Sequence, residues 1–336
     1  MILLAFAGAL VLLSSCSSDD RGGDATSSTA ERPISSVPTG PQPAEVEATV
    51  EVGADPIGIA AGEGSLWVVN AETNAPRGSL SRIDPTSGDV LATVRVGPIP
   101  LEVAVGEGGV WVSNAEDDTV SRIDPSTDEV VTDIDVCAAP EGLAVADGSV
   151  WVVCEDDSVV ASIDATTNEM VTEIDVGLQP RFATFAFEDV WVSSYFDGTI
   201  TRIDPKTEEV VAEITTEQGP QIMAEAGGLL WVSTTDVDAV QAIDPQTNEI
   251  VATVDTPVAP DGLAFDGSIL WVATEIGPEL VGIDVATEQV VAESTVADHG
   301  LINANQVLAF EDGSLWLPIL DDGVVLQVTP PATTAE

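Results

Sequence analysis

The tryptophans of this chain recur at a nearly constant interval, and this feature constrains the fold more than any other. Consecutive tryptophans are separated by 44, 40, 40, 40, 40 and 45 residues. A fixed period of about 40 residues indicates a repeat architecture, in which every repeat is one supersecondary unit that packs against its neighbours. The seven tryptophans are Trp67, Trp111, Trp151, Trp191, Trp231, Trp271 and Trp316.

Each repeat contains four short runs with the composition of β-strands. Around Trp151 these runs are EGLAVA, SVWVVC, SVVASID and EMVTEIDV, all rich in Val, Ile and Thr. The Asp-Gly in ADGS favours a tight hairpin between the first two runs. An Asp after the third run, followed by Pro in most repeats, favours a type I turn. We expect each tryptophan to fill the space between neighbouring sheets, and the acid-rich fourth run to lie at the solvent edge.

The two ends of the repeat region are complementary. The first repeat is preceded by an extra fourth-type run, EVEATVEVG at residues 45–53, and the last repeat stops after its third-type run, VVLQV at residues 324–328. An open solenoid would need polar capping repeats instead. The sequence therefore predicts an all-β fold: a seven-bladed β-propeller of four-stranded antiparallel blades, closed by an N-terminal strand that completes the last blade.

One repeat, at residues 111–136, reads WVSNAEDDTVSRIDPSTDEVVTDIDV and is followed by AAPEGLAV. This pattern resembles the YVTN-type propeller repeat of surface-layer-like proteins, with Trp in place of the leading Tyr. The resemblance extends over residues 45–329, and it implies an extracytoplasmic binding or surface protein. The pattern is more distantly similar to NHL repeats and to streptogramin (virginiamycin B) lyases.

The N-terminal segment has the pattern of a processing signal rather than of a folded domain. Residues 1–16, MILLAFAGALVLLSSC, resemble a bacterial lipoprotein signal, which implies lipid attachment at Cys16. An uncleaved membrane anchor is the alternative, although the run is short for a span. Residues 17–44 have the composition of a disordered tether, residues 45–329 form the predicted propeller, and residues 330–336 are a short tail. We expect an extracytoplasmic location in the cell envelope.

The charge balance limits the partners that the chain can take. Nine basic side chains against 58 acidic ones give a formal net charge of −49. Phosphates would be repelled, so we expect no nucleic-acid partner, and we expect membrane contact only through the lipid anchor. The charge suits a cationic partner, divalent cations or simply a solvated acidic surface. The predicted partner is a small molecule, a glycan or a protein, and the predicted oligomeric state is a monomer.

The start of each inner strand, one residue after its proline, should ring the mouth of the central channel. Several of these residues differ in polar chemistry, which is consistent either with a ligand-facing mouth or with an ordinary wet channel opening. At equivalent distances from the tryptophans they are Ile57, Leu101, Glu141, Arg181, Gln221, Asp261 and Gln306.

The fourth repeat holds most of the Phe and Tyr residues of the chain, within RFATFAFEDVWVSSYF. We expect Phe185 in the core, and Phe182, Tyr195 and Phe196 beside Arg181 on the channel-mouth face. Arginine with aromatic neighbours is the composition of a binding hot spot. Repacking after loss of the hairpin glycine explains the aromatic residues equally well.

Two insertions fall on the same predicted face, at residues 70–78 and 296–306. They either carry function or reflect the tolerance of the closure seam for extra length. The second contains His299, the only histidine of the chain. With it, the predicted ligand-contacting residues are Glu141, Arg181, Phe182, Tyr195, Phe196, Gln221, Asp261, His299 and Gln306.

Two further cysteines, Cys137 and Cys154, should lie at one rim of the third blade, because they flank the start of its first strand and the end of its second. In an oxidising compartment this placement favours a disulfide. Metal ligation lacks a CxxC motif or a companion histidine.

Enzymatic function is the alternative to a binding module. The resemblance to streptogramin lyases implies a histidine base with a second His and a Glu near Mg²⁺, and a chain with one histidine cannot supply this set. A lactonase-like site, with Glu102, Glu141 and Asp261 around a divalent cation, remains the second hypothesis. The main hypothesis is a non-catalytic binding module without a cofactor and without catalytic residues.

Overall fold

The computed structural model describes residues 42–274, 279–296, 306–310 and 313–331. Almost all of them form short strands or the turns between strands. Within the described residues, no helix is long and apolar enough to cross a membrane. Cys16 and His299 lie outside the described residues.

The strands assemble into seven sheets that follow one another along the chain. Two short strands come first, β1 at Gln42–Pro43 and β2 at Glu45–Glu51. The first three blades contain β3 Pro56–Gly62, β4 Ser65–Asn70, β5 Ser79–Ile83 and β6 Val90–Arg95; β7 Pro100–Gly106, β8 Gly109–Asn114, β9 Thr119–Asp124 and β10 Glu129–Asp135; and β11 Pro140–Ala146, β12 Ser149–Cys154, β13 Val159–Asp164 and β14 Glu169–Asp175.

Blades four to seven continue the same order, and two of their loops contain three-residue 3-10 helices at Thr235–Val237 and Leu320–Asp322. Their strands are β15 Pro180–Ala186, β16 Asp189–Ser194, β17 Thr199–Asp204 and β18 Glu209–Thr215; β19 Pro220–Ala226, β20 Leu229–Thr234, β21 Ala239–Asp244 and β22 Glu249–Asp255; β23 Pro260–Phe265, β24 Ile269–Thr274, β25 Glu279–Asp284 and β26 Gln289–Thr295; and β27 Leu308–Ala309, β28 Leu315–Ile319 and β29 Val324–Thr329.

The ring closes as the sequence predicts. Strand β2 pairs antiparallel with β29, from Glu45 opposite Thr329 to Glu51 opposite Val324, so the N-terminal strand supplies the outer strand of the seventh blade. The prediction of a seven-bladed propeller of four-stranded antiparallel blades is confirmed.

Strand pairing includes residues that the sequence assigns to the end of the tether. Gln42 and Pro43 pair in parallel with Ser294 and Thr295 on the outer edge of the sixth blade. Ala44 is buried in the cluster between the sixth and seventh blades. Residues 42–44, which the sequence assigns to the tether, therefore have backbone hydrogen bonds to the sixth blade, and Ala44 is buried.

The tryptophans lie between blades, as predicted, and are at most 2% exposed. Trp67 packs with Val103 and Val112 of the second blade, and each later tryptophan packs on the blade that follows it. Trp316 contacts Ile59 and Val68 of the first blade, so the same packing closes the ring. One apolar interface is repeated seven times, and each contains a buried tryptophan together with Val, Ile, Leu and Ala side chains of the two blades.

Candidate functional site

The mouth face of the propeller consists of two kinds of loop: those between the second and third strands, and the connections into each first strand. Within a blade, a backbone hydrogen bond joins the two kinds of loop. In the third blade Glu155 N donates to Ala139 O at 3.0 Å, and in the fourth blade Tyr195 N donates to Gln179 O at 2.9 Å. The prediction that these loops share one face is therefore correct. The mouth face comprises residues 71–78, 115–118, 155–158, 195–198 and 235–238 with the connections 52–55, 96–99, 136–139, 176–179, 216–219 and 256–259.

A disulfide fixes this face in the third blade. Cys137 lies in the connection before β11, Cys154 ends β12, and their sulfurs are bonded with a Cα–Cα distance of 5.7 Å. The predicted disulfide is confirmed. It holds the connection against the loop that contributes Glu155.

Arg181 is the centre of the polar cluster at the channel mouth. Its Nη1 lies 3.0 Å from Glu141 Oε1, and its Nη2 lies 3.5 Å from Glu155 Oε1. The guanidinium also lies over the ring of Tyr195, 5.6 Å from the centroid. Gly142 allows the third and fourth blades to approach this closely, because a Cβ there would lie 2.6 Å from Arg181 O.

Burial changes the protonation of this cluster. The side chain of Glu141 is 12% exposed, and burial raises its pKa to about 8; Arg181 opposes this shift, and Glu155 adds to it. Burial lowers the pKa of Arg181, but the carboxyl groups of Glu141 and Glu155 outweigh this and hold it above its usual value. The mouth therefore offers a guanidinium between two carboxyl groups, and Glu141 holds a proton more readily than an exposed glutamate does.

A second polar pair lies across the channel. Glu102 is 3% exposed, its Oε1 accepts a hydrogen bond from Val103 N at 2.9 Å, and its Oε2 accepts one from Gln306 Nε2 at 2.7 Å. Burial raises the pKa of Glu102 to about 8 against these two hydrogen bonds. Gln306 Oε1 in turn accepts a hydrogen bond from Ile59 N at 2.9 Å, so this pair joins the first, second and seventh blades.

The other polar residues of the predicted ring, Gln221 and Asp261, are buried or nearly so. Gln221 is 9% exposed and donates from Nε2 to Thr235 Oγ1 at 3.1 Å, while Asp261 is 1% exposed. Thr235 Oγ1 donates to Pro260 O at 2.7 Å, which links the fifth and sixth blades. Gln221 therefore contributes to the wall of the mouth, whereas Asp261 interacts electrostatically with Arg181 and belongs to its cluster.

The three carboxylates of the metal hypothesis do not come together. Glu102 contacts Gln306, and Glu141 contacts Arg181. The described part of the chain contains no group of three or more His, Cys, Asp or Glu side chains that could hold a metal ion. A divalent cation at the mouth remains a prediction without a ligand cluster.

Four Phe and Tyr residues of the fourth blade separate into two groups, and Phe187 packs at the interface with the fifth blade. Phe182 and Phe185 line a channel cavity of about 190 Å³. The expectation that Phe185 is core is wrong, because its side chain faces this cavity and is 41% exposed. Tyr195 and Phe196 lie on the mouth face, where the Tyr195 hydroxyl donates to Asp236 Oδ1 at 2.7 Å and Phe196 is 65% exposed.

Sequence reasoning missed Glu155 and Asp236, which complete the cluster around Arg181 and Tyr195. Both lie in loops between the second and third strands, Glu155 as the first residue of the loop in the third blade and Asp236 as the second residue of the loop in the fifth. The sequence placed both loops on the mouth face. It did not single out these two side chains, because the loop sequences, EDDS and TDVD, resemble ordinary solvated turns.

The fold and site together define a seven-bladed β-propeller with a polar cluster at one end of its channel. No family model matches the chain, and no curated protein matches it. Among solved structures, it is similar to Kuenenia stuttgartiensis hydrazine synthase, with a TM-score of 0.73 at 16% identity over 89% of this chain and 99% of that one.

Two lyase structures are also similar. A streptogramin B lyase has a TM-score of 0.71 at 16% identity, over 84% of this chain and 98% of that chain. A catalytically inactive virginiamycin B lyase from Staphylococcus aureus with quinupristin has a TM-score of 0.71 at 15% identity, over 84% of this chain and 99% of that chain. At such low identity these similarities show the fold alone.

Proposed function

We propose that this chain is a lipid-anchored, extracytoplasmic propeller of YVTN-type repeats that acts as a non-catalytic binding module through its mouth face. The observation that carries the proposal is the cluster of Arg181 with Glu141, Glu155 and Tyr195 at the channel mouth. Arginine stacked on an aromatic ring at a partly buried rim is typical of binding hot spots.

Arg181 has no counterpart among the arginines that hold blades together. Arg82, Arg122 and Arg202 each stack on a tryptophan and bind the next blade, far from the mouth face. The Nε of Arg181 is buried and has no hydrogen-bond partner among the described residues. A buried donor without an acceptor costs free energy unless a ligand supplies one.

The charge of the site restricts the ligand. An anion would be repelled by a chain with net charge −49, although Arg181 would attract it locally. Glu141 can donate a hydrogen bond when it is protonated, and Glu155 and Tyr195 can accept one. An uncharged polar ligand or a cationic one is therefore favoured, which fits a small molecule, a glycan or a protein.

The envelope location rests on the sequence. Cys16 directly follows the apolar run at residues 1–15, and the next residues are polar and rich in Ser and Thr. The disulfide between Cys137 and Cys154 supports an oxidising compartment. Metabolic labelling with a palmitate analogue tests the anchor: label should appear on the wild-type chain, and label retained by Cys16→Ala would contradict the proposal.

Ligand-observed NMR with uncharged mono- and disaccharides and capped dipeptides tests binding at the mouth. We expect at least one probe to receive saturation from the wild-type protein, and to lose it in Arg181→Ala. Arg95→Ala is the matched control, because the Arg95 side chain is 61% exposed and pairs only with mouth-face Glu72 among the described acidic residues. Equal saturation in Arg181→Ala, or none in the wild type, would contradict the proposal.

A hydrolase or lyase at the channel mouth is the second candidate. It is favoured by the raised pKa of Glu141, because a carboxyl group with a pKa near neutrality can act as a general acid. If a divalent cation takes part, Ca²⁺ or Mg²⁺ should raise the melting temperature, and Glu141→Gln or Asp261→Asn should remove that increase. A melting temperature that does not respond to either ion argues against this candidate.

A further inference from the structure

The mouth face carries an apolar patch, formed by Leu178, Phe196 and Val237. Leu178 is 50% exposed, Phe196 65% and Val237 40%. Most other exposed large apolar side chains among the described residues lie on outer strands, such as Val131 and Val171. There they alternate with acidic residues, whereas the patch residues come from separate loops on one face.

Hydrogen bonds hold these loops together. Phe196 N donates to Leu178 O at 3.3 Å, and Leu178 N donates to Asp197 Oδ2 at 2.8 Å. The Tyr195 hydroxyl reaches Asp236, the neighbour of Val237, across the gap between the fourth and fifth blades. The loops that carry the patch are therefore held in place by hydrogen bonds before a partner binds, which lowers the entropic cost of binding.

Acidic residues surround the patch. The five loops at residues 155–158, 176–179, 195–198, 216–219 and 235–238 contain seven Asp and Glu residues and no Lys or Arg. Arg181, the nearby cation, is already paired with Glu141 and Glu155. An apolar surface within this negative field is complementary to an apolar side chain with basic neighbours.

We propose that the patch docks a basic polypeptide segment of a partner protein, with an aromatic or aliphatic anchor covering Phe196 and Leu178 and with Lys or Arg on either side of that anchor. The proposal rests on the mouth face being the binding face, and it names the class of partner. The anchor supplies apolar burial, and the flanking cations pair with exposed acids such as Asp197 and Asp236.

Three capped pentapeptides test the proposal by isothermal titration calorimetry: Lys-Lys-Trp-Lys-Lys, Lys-Lys-Ser-Lys-Lys and Glu-Glu-Trp-Glu-Glu. We expect the first to bind about tenfold more tightly than the second, since burial of one aromatic side chain contributes at least that much. The acidic peptide should not bind. Added salt should weaken both basic peptides while preserving their ratio, because salt screens charge but not apolar burial.

Two variants localise the effect. Phe196→Ser and Leu178→Ser should each bring the Trp and Ser peptides to equal affinity. Val171→Ser is the matched control, because Val171 is 59% exposed on an outer strand, away from the mouth face. Equal binding of the Trp and Ser peptides to the wild type, or the same loss in Val171→Ser, would overturn the proposal. Loss of uncharged-probe binding in Arg181→Ala would still stand in that case, so the two proposals fail separately.

Discussion

The two faces of the propeller differ in how their contacts repeat. On the turn face, formed by residues 84–88, 124–128, 164–168, 204–208, 244–248 and 284–288, the same contact recurs in six blades. The Oδ1 of the leading Asp accepts the backbone N–H two residues later, at 2.8 Å for Thr86 and 2.9 Å for Ala286. On the mouth face, the Arg181 cluster occurs once. Repeated contacts build the ring, and unrepeated ones mark a surface with a separate role.

Three arginines extend the repeated chemistry of the turn face. Arg122 lies over the ring of Trp111, 4.8 Å from the centroid, and its Nη1 donates to Ala165 O at 2.7 Å and Asn168 Oδ1 at 2.6 Å in the next blade. Arg82 and Arg202 make equivalent contacts. Arg82, Arg122 and Arg202 thus hold neighbouring blades together on the turn face, whereas Arg181 lies at the channel mouth on the opposite face.

Removal of an inter-blade tryptophan should have the largest effect on stability. Trp191→Ala should lower the free energy of unfolding by about 3–5 kcal/mol, because a large buried ring leaves a cavity and Arg202 loses its stacking partner. Chemical denaturation measures the change. A loss below about 1 kcal/mol would show that the blades cohere without this interface.

The mouth face should lose stability when its disulfide is removed. The Cys137→Ala/Cys154→Ala double variant should unfold with about 3 kcal/mol less free energy, because the bridge closes a loop of sequence separation 17. Reduction of the wild-type protein should give the same loss by thermal denaturation, and the double variant should be insensitive to reductant. If reductant also destabilised the double variant, the loss of stability could not be attributed to the Cys137–Cys154 bridge.

The stability of the mouth should depend on pH. The folded-state pKa of Glu102 is raised from 4.5 to about 8, so its contribution is fully present below pH 4.5 and is lost as pH rises through 8. Glu141 acts in the same direction. Glu102→Gln should reduce the loss between pH 5 and 9 by on the order of 2 kcal/mol, since one pKa unit corresponds to about 1.4 kcal/mol and relaxation around a buried carboxylate offsets part of it. An unchanged pH profile of unfolding would contradict this assignment.

The smallest effect should come from a turn-face clamp. Arg122→Met keeps the apolar stem but loses the hydrogen bonds to Ala165 and Asn168, so we expect a loss of about 1–2 kcal/mol. An exposed arginine at the end of β6, which pairs with mouth-face Glu72, gives the comparison: Arg95→Met should cost about 0–0.5 kcal/mol, because exposed ion pairs contribute little. Equal losses for the two variants would remove the distinction between the faces.

Much of the fold could be predicted from local pattern. The tryptophan period gave seven blades, and the complementary end segments gave the β2–β29 closure. The turn and hairpin residues located the two faces, which placed Cys137 beside Cys154. Phe185 was assigned wrongly because repeat alignment fixes a strand position but not whether the channel beside it is filled.

The sequence by itself determined the repeat, its closure and the loops of each face, because strand alternation, turn chemistry and burial are local or periodic properties. Only the tertiary structure decided which side chains meet across blades. Arg181 pairs with Glu141, 40 residues away, and Gln306 with Glu102, 204 residues away. Such pairs depend on side-chain reach and on competition for buried partners around the ring, and these quantities do not exist until the ring is closed.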